Sequence, residues 1–239
     1  MLSRVARVLL NIDAGEYPDE PEALFELAHV VSIACGGHAG DEASMERALG
    51  RCARFGTRAG AHPSFVDREG FGRRALAVGA AMLEGQLVEQ MTRLSSLATG
   101  RGQALSYVKP HGALYHAATG DSALAEAVVR AAARAMGGSF TIIGPAGSAL
   151  EHAARGHGLP FAREGFADRG TRPDGSLVPR TEPGALITDP NAARARTRAL
   201  VASGRVDTVC VHADTPGSMG IARAVKEELD ARGNADAPL

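Results

Sequence analysis

The chain has 239 residues with 26 basic and 27 acidic side chains, a formal net charge of −1, and no run of like charges, which excludes an extended nucleic-acid surface and a polybasic membrane anchor. Its 3 cysteines, Cys35, Cys52 and Cys210, are odd in number and lack CxxC spacing, arguing against a disulfide framework or thiolate zinc site and for a reducing, cytoplasmic setting. No stretch approaches the roughly 20 apolar residues of a membrane span or the pattern of a signal peptide, so the expectation is one soluble domain over 1–239, with a small-molecule ligand and a frayed tail at 232–239.

In chain order, residues 5–12 (VARVLLNI) read as a buried parallel strand, 22–29 as a helix and VSIA at 31–34 as a second strand. Asp41 is a helix N-cap, and Met45, Ala48, Leu49, Cys52 and Phe55 mark one buried face before Gly56 stops the helix. Residues 57–61 form strand three and 79–98 a long helix, followed by LSYV at 105–108 and an Ala-rich helix from Asp121 to about Met136. SFTIIG at 139–144 is strand five, with a helix near 147–156 and strand six near 160–164. The loop from Gly165 to Gly184 is too long for a connector and reads as a lid. Pro190 opens the next helix, DTVCVH at 207–212 is strand seven, and a final helix spans 218–231. Seven strands alternating with seven helices predict an α/β fold with a parallel sheet, read here as a seven-stranded (β/α) barrel rather than an open doubly wound sheet.

Each strand ends in a polar cluster, and parallel strands would collect these clusters on one face, where such folds keep their chemistry. NIDAGE offers Asn11, Asp13 and Glu16 as a base, a metal ligand or an orienter. His38 sits between glycines in CGGHAGD, which has no Walker spacing, and Cys35 reads as a small buried hydrophobe. HPSFVDREGFGRR carries His62 with Arg68, Arg73 and Arg74, a composition suited to bidentate recognition of an anion. In VKPHGALYH, Lys109 and His111 are two apart and would face one ligand, the ammonium keeping the imidazole a neutral base; His116 reads as an exposed helix residue. FADRGTRPDGSLVPR adds Asp168, Arg169 and a Pro173-Asp174-Gly175 turn, and VHAD adds His212 and Asp214. Gly144/Pro145 offers only ligand-facing backbone, while His29, His152 and His157 read as surface residues. Several His plus Asp at one barrel end also suit a divalent metal, although no HxxxH or HExxH spacing identifies one.

Taken in order, NIDAGE, IACGGHAGD, GAHPSFVDREGFGRR, VKPHGALYH, FADRGTRPDGSLVPR and CVHAD resemble the LamB/YcsF family, the A-subunits of 5-oxoprolinase. The resemblance implies a (β/α)7 barrel of the glycoside hydrolase/deacetylase type. It also implies ATP-dependent opening of the 5-oxo-L-proline lactam to L-glutamate together with subunits B and C, which would bind the ATP and phosphorylate the lactam carbonyl. Carried over by motif, the catalytic set is Asp13, His38, His62, Lys109, His111, His212 and Asp214, and the substrate-binding set is Asn11, Glu16, Arg68, Arg73, Asp168 and Arg169. In that reading Asp13 with His62 or His111 activates water, Lys109 stabilises an oxyanion or phosphate, and Arg68 or Arg169 holds the substrate carboxylate. The sequence departs from the family pattern at Ala14, His116, Thr171 and Ala213. The alternatives left open at this point are a stand-alone metal-dependent amidase or carbohydrate deacetylase and a non-catalytic binding subunit; the oligomeric state is open too, a homo-oligomer included.

Overall fold

The computed structural model describes residues 7–172 and 176–234. Seven parallel strands, β1 (Leu9–Ala14), β2 (Val30–Ala34), β3 (Arg58–His62), β4 (Tyr107–Val108), β5 (Thr141–Gly144), β6 (Phe161–Phe166) and β7 (Thr208–His212), close a barrel in chain order. The ring closes where β1 pairs with β7, Asp13 standing opposite His212. Around it lie α1 (Glu22–Leu27), α2 (Glu42–Phe55), α3 (Ala80–Gly100), α4 (Gly112–Gly120), α5 (Ser122–Ala135), α6 (Ala149–Gly156), α7 (Pro190–Ala202) and α8 (Ser218–Leu229). The expected alternation therefore holds, with one helix more than expected: the segment after β4 forms α4, and Asp121 both ends it and caps α5 through the backbone N–H groups of Ala123 and Leu124. Among the described residues no helix is long and apolar enough to cross a membrane.

Local chemistry explains the boundaries. Asp41 and Ser44 form a reciprocal capping box at the start of α2, and Gly56 ends that helix in the left-handed conformation. Asp189 caps α7, whose first residue Pro190 has no N–H to leave unpaired. Met45, Ala48, Leu49 and Cys52 are buried as the helical spacing required. Burial also pushes the thiols of Cys35 and Cys52 up to about 12, so neither is a thiolate.

Strand parity then divides the core in two. Leu10, Ile12 and Ala14 belong to the large apolar cluster shared with the helices, whereas Leu9 packs with Val30, Tyr107, Ile143 and Ala162, which seal the base of the barrel. Asn11 and Asp13 share the parity of Leu9, so the next positions along β1 put polar groups inside the barrel. The expected strand at 5–12 ends too early: β1 runs on to Ala14, so Asp13 lies within it, not beyond it. Gly144 also departs from expectation, since a Cβ there would meet Leu150 at 3.0 Å and Phe161 at 3.1 Å; it is packed against side chains and does not face a ligand. His29 is no surface residue, because its Nδ1 accepts the Leu10 N–H at 2.9 Å and burial depresses its pKa to about 4. The Pro173-Asp174-Gly175 turn and the tail beyond Asn234 lie outside the described residues.

Candidate active site

Lys109, at the end of β4, is only 2% exposed. Its Nζ donates to Asp13 Oδ1 at 2.9 Å, Asn11 Oδ1 at 3.1 Å and Cys210 Sγ at 3.1 Å, and lies 2.9 Å from Glu164 Oε1. Burial opposes the charge on Lys109, yet Asp13, Cys210 and Glu164 overcome it and hold the ammonium well above its ordinary pKa. Burial likewise opposes ionisation of Asp13, but His62 and Lys109 hold it well below the usual carboxylate range. Lys109 is thus enclosed between two carboxylates, which leaves it poorly suited to the expected role of meeting an oxyanion or phosphate.

Above this layer four side chains converge, His62 from the end of β3 and Glu16, His38 and His111 from three loops. His38 Nε2 lies 2.9 Å from Glu16 Oε1, His111 Nδ1 is 3.4 Å from the same oxygen, and His62 Nε2 is 4.0 Å from it. The ring of His38 stacks on that of His111 with centroids 3.6 Å apart. Burial first, and positive neighbours second, push the pKa of His38 and His111 well below the usual imidazole value. His111 is therefore neutral as expected, with burial the first cause and His62 the second, while Lys109 is turned into the barrel toward Asp13 and Glu164. Glu16 is raised well above the ordinary carboxylate range by burial and by Asp13, Asp214 and Glu20.

Backbone contacts fix the ring tautomers. His62 Nδ1 donates to the Lys109 carbonyl at 2.7 Å and His111 Nε2 donates to the Phe71 carbonyl at 2.9 Å, because a carbonyl only accepts. The remaining nitrogens, His62 Nε2 and His111 Nδ1, face each other at 3.0 Å. Two neutral rings would oppose lone pairs there, so the contact requires a shared proton or a cation beside it. Asp13 Oδ2, 3.3 Å from His62 Nε2, balances that positive charge. Phe71 adopts a left-handed φ of 53° to present its carbonyl, and Gly72 next to it leaves no room for a side chain: a Cβ would lie 2.7 Å from His38 and 2.8 Å from His111.

A second imidazole is oriented differently. His212 Nδ1 donates to Asp168 at 3.0 Å, and the same carboxylate accepts the His212 backbone N–H at 2.9 Å and the Thr215 hydroxyl at 2.6 Å. Burial opposes the Asp168 charge, but His212 and Thr215 overcome it and hold the carboxyl below its ordinary pKa. His212 Nε2 is left with a lone pair on the cavity side, 3.9 Å from Asp13 Oδ2, in the arrangement of a general base with an orienting carboxylate.

A cavity of about 490 Å³ opens over these groups, lined by Asp13, Glu16, His62, Lys109, His111, His212 and Asp214 together with Arg73, Arg169 and Arg180. The expected lid forms one wall: Leu177 to Thr181 line the cavity, and the bridges Arg169 to Leu186 and Thr171 to Leu177 fold the segment back on itself. Arg169 Nε and Nη2 donate to the carbonyls of Ala185 and Val178, fastening the lid to the barrel.

Several expected substrate contacts do not reach the cavity. Asn11 is fully buried between Thr208 and Lys109, and Asp168 is fully buried behind His212, so both act on other side chains. Arg68 ties down the glycine loop through the carbonyls of Gly36 and Gly40, while His38 lies behind Glu16. Conversely His116, exposed as expected, borders the cavity. Three participants have no counterpart among the expected residues. Glu164 shares the parity of Ala162 and Phe166 along β6, a signal that an inward strand position carries a charge. Tyr115 lies on α4 and Arg180 in an aperiodic lid, and neither position carried a sequence signal of its own.

Known proteins with this chain's features are consistent in kind. A protein of Methylococcus capsulatus described as the A-subunit of 5-oxoprolinase is 42% identical over 94% of this chain and 92% of its own length. The crystal structure of a lactam utilization protein from Thermus thermophilus superposes with a TM-score of 0.86 at 35% identity, covering 95% of this chain and 97% of that one. A family 4 carbohydrate esterase from Streptomyces lividans shares the fold alone, with a TM-score of 0.51 at 11% identity over 95% of this chain and 90% of its own. A family model matching residues 9–239 completes the assignment: the chain belongs to the LamB/YcsF family.

Proposed function

We propose that this chain is the ring-opening subunit of a 5-oxoprolinase, working in the cytoplasm with subunits B and C that bind ATP and phosphorylate the lactam carbonyl. A lactam amide is a poor electrophile, and phosphorylation of its oxygen makes the ring carbon reactive. The observation that carries the reading is the His212–Asp168 pair, a base held in one tautomer at the wall of a cavity that Arg73, Arg169 and Arg180 also line. His212 Nε2 takes a proton from water as the water oxygen bonds to the activated ring carbon. The carbon–nitrogen bond then breaks, the nitrogen receives that proton, and hydrolysis of the resulting acyl phosphate gives glutamate and phosphate. Asp13, 3.9 Å from His212 Nε2, stabilises the imidazolium formed in between. The 42% identical relative, described as a 5-oxoprolinase component, supports the choice of substrate. The test is reconstitution with subunits B and C, measuring glutamate and phosphate from 5-oxo-L-proline plus ATP; no turnover by a stable complex would reject the reading.

A second reading has its own observation. Glu16, His38, His62 and His111 bring donor atoms within 4.8 Å of one another, and the facing nitrogens of His62 and His111 suit a divalent cation as well as a proton. The residues fit: three imidazoles held neutral or shared, one carboxylate, and a buried His38 Nδ1 with no partner among the described residues. A metal there would act as a Lewis acid in a stand-alone amidase or deacetylase. Tightly bound stoichiometric metal by elemental analysis, with amide hydrolysis in the absence of partners, would favour it.

A further inference from the structure

The rim of the cavity holds a pair of guanidinium groups that converge on one carboxylate. Arg73 Nη2 lies 2.5 Å from Asp214 Oδ2, while Arg180 contacts the same residue twice, Nη1 to Oδ2 at 3.0 Å and Nη2 to Oδ1 at 3.2 Å. The two arginines come from opposite walls, Arg73 from the β3–α3 segment and Arg180 from the lid, and Asp214 follows β7. Each is held in place: the Arg73 guanidinium lies over the Phe71 ring at 4.8 Å, and the lid carrying Arg180 is fastened by Arg169. Arg73 uses one nitrogen on Asp214, so a planar fork of donors is left at the cavity rim.

We propose that Arg73 and Arg180 form the subsite that binds the carboxylate of a small cyclic amide, with Asp214 as the positioning residue that draws the two guanidiniums together. The inference rests on the lactam reading above and names its specificity element. Two guanidiniums and one carboxylate leave a single positive charge, the complement of a monoanion. A phosphoryl group, carrying nearer −2, would meet Asp214 at close range and be disfavoured. Arg180 belongs to the lid, so ligand binding and lid position are linked: the anion bridges the lid to the barrel wall and completes the enclosure over His212.

The test is calorimetric titration of the full chain with 5-oxo-L-proline, with 2-pyrrolidinone as the uncharged lactam, with acetate and proline as carboxylates lacking the lactam, and with inorganic phosphate. The expected result is that the acid lactam binds on the order of tenfold or more tighter than the neutral one, the value of a charge-assisted contact. Arg180→Gln and Arg73→Gln should each bring that ratio toward one, and Arg180→Lys should restore part of it, with thermal melts confirming that each variant folds. A ratio retained in both Gln variants, or phosphate binding more tightly than the acid lactam, overturns the subsite. If the neutral lactam binds as well as the acid, the subsite falls and the lactam reading stands. If acetate and proline bind in an Arg180-dependent way while both lactams fail, the subsite stands for another carboxylate and the lactam reading falls. If no carboxylate binds, the subsite falls, and turnover by the reconstituted complex decides the lactam reading.

Discussion

Replacing Asp168 with Asn removes one charge and leaves the shape unchanged, which isolates the orienting role of the carboxylate. Asp168 accepts from the His212 backbone N–H, the Thr215 hydroxyl and His212 Nδ1. An amide can satisfy the first two with its oxygen, and its NH₂ then faces Nδ1, which must become the acceptor. The imidazole proton moves to Nε2, and the lone pair directed at the cavity disappears. A general base supplies roughly 10²–10⁴ in rate, so turnover by the reconstituted complex should fall by about that factor, some 3–5 kcal/mol of activation free energy, with KM changed little. Stability should fall by about 1–3 kcal/mol at pH 7, because charge-assisted contacts become neutral ones. The sign of the pH dependence follows from the depressed folded pKa. The carboxylate stabilises the native state above its unfolded value near 3.8, and that contribution is lost as pH falls through the folded value, so the stability gap between wild type and variant should close in acid. Steady-state assays, urea titrations from pH 7 to 3 and ¹⁵N chemical shifts of His212 read these three effects. Turnover within about threefold of wild type, or Nδ1 still protonated in the variant, would refute the assignment of His212 and Asp168.

Lys109→Met should cost about 3–5 kcal/mol in denaturant titrations, because it strands Asp13 and Glu164 as buried carboxylates; adding Glu164→Gln should recover part of the loss. Gly72→Ala should destabilise by about 1–3 kcal/mol and disturb the imidazole group, since the residue has φ +65° and a Cβ would press on His38 and His111; unchanged histidine NMR resonances would contradict this. His29 has a folded pKa of about 4 against 6.5 when free, so the unfolded chain takes up a proton below pH 6.5 that the native state refuses, and stability drops with falling pH. His29→Gln should flatten the dependence of unfolding free energy on pH between 6.5 and 4 by up to about 1.4 kcal/mol per pH unit, measured by urea titration.

The polar ends of the strands were legible because a parallel barrel collects the C-terminal ends of its strands on one face whatever their exact boundaries. Asp13, His62, Lys109, His111 and His212 could be placed together on that ground alone. Depth was not legible. Reading β1 as a run buried on both faces hid the parity that sends Asn11 and Asp13 inward, and with it the fact that Asn11 lies below the cavity floor while Lys109, part of that floor, is engaged by Asn11, Asp13 and Glu164. Motif position also could not separate a side chain that faces the cavity from one that supports it. Asp168 and Arg68 share their segments with cavity residues, yet one orients His212 and the other ties down a loop. Glu164 was missed because a lone Glu near the end of a short strand reads as solvent-facing until its neighbours Ala162 and Phe166 are assigned to the interior.

Asp13 joins the two imidazole systems, and this constrains how protons move in the site. Its Oδ2 is 3.3 Å from His62 Nε2 and 3.9 Å from His212 Nε2, while Lys109 holds the other oxygen at 2.9 Å. A positive charge that forms on His212 during water activation therefore appears beside an anion already facing a cation or shared proton at His62 and His111. Two adjacent positive centres repel, so binding of a cation at the His62–His111 contact should raise the cost of the imidazolium that forms on His212 during water activation. Loss of the positive centre should do the reverse, leaving Asp13 to favour the imidazolium of His212 alone. His111→Gln removes one of the facing lone pairs and so the demand for that proton or cation. In ring opening by the reconstituted complex at fixed pH, added zinc should therefore lower kcat of the parent more than that of His111→Gln. Equal inhibition of parent and variant would show that the two systems act independently, and that Asp13 serves only to anchor Lys109.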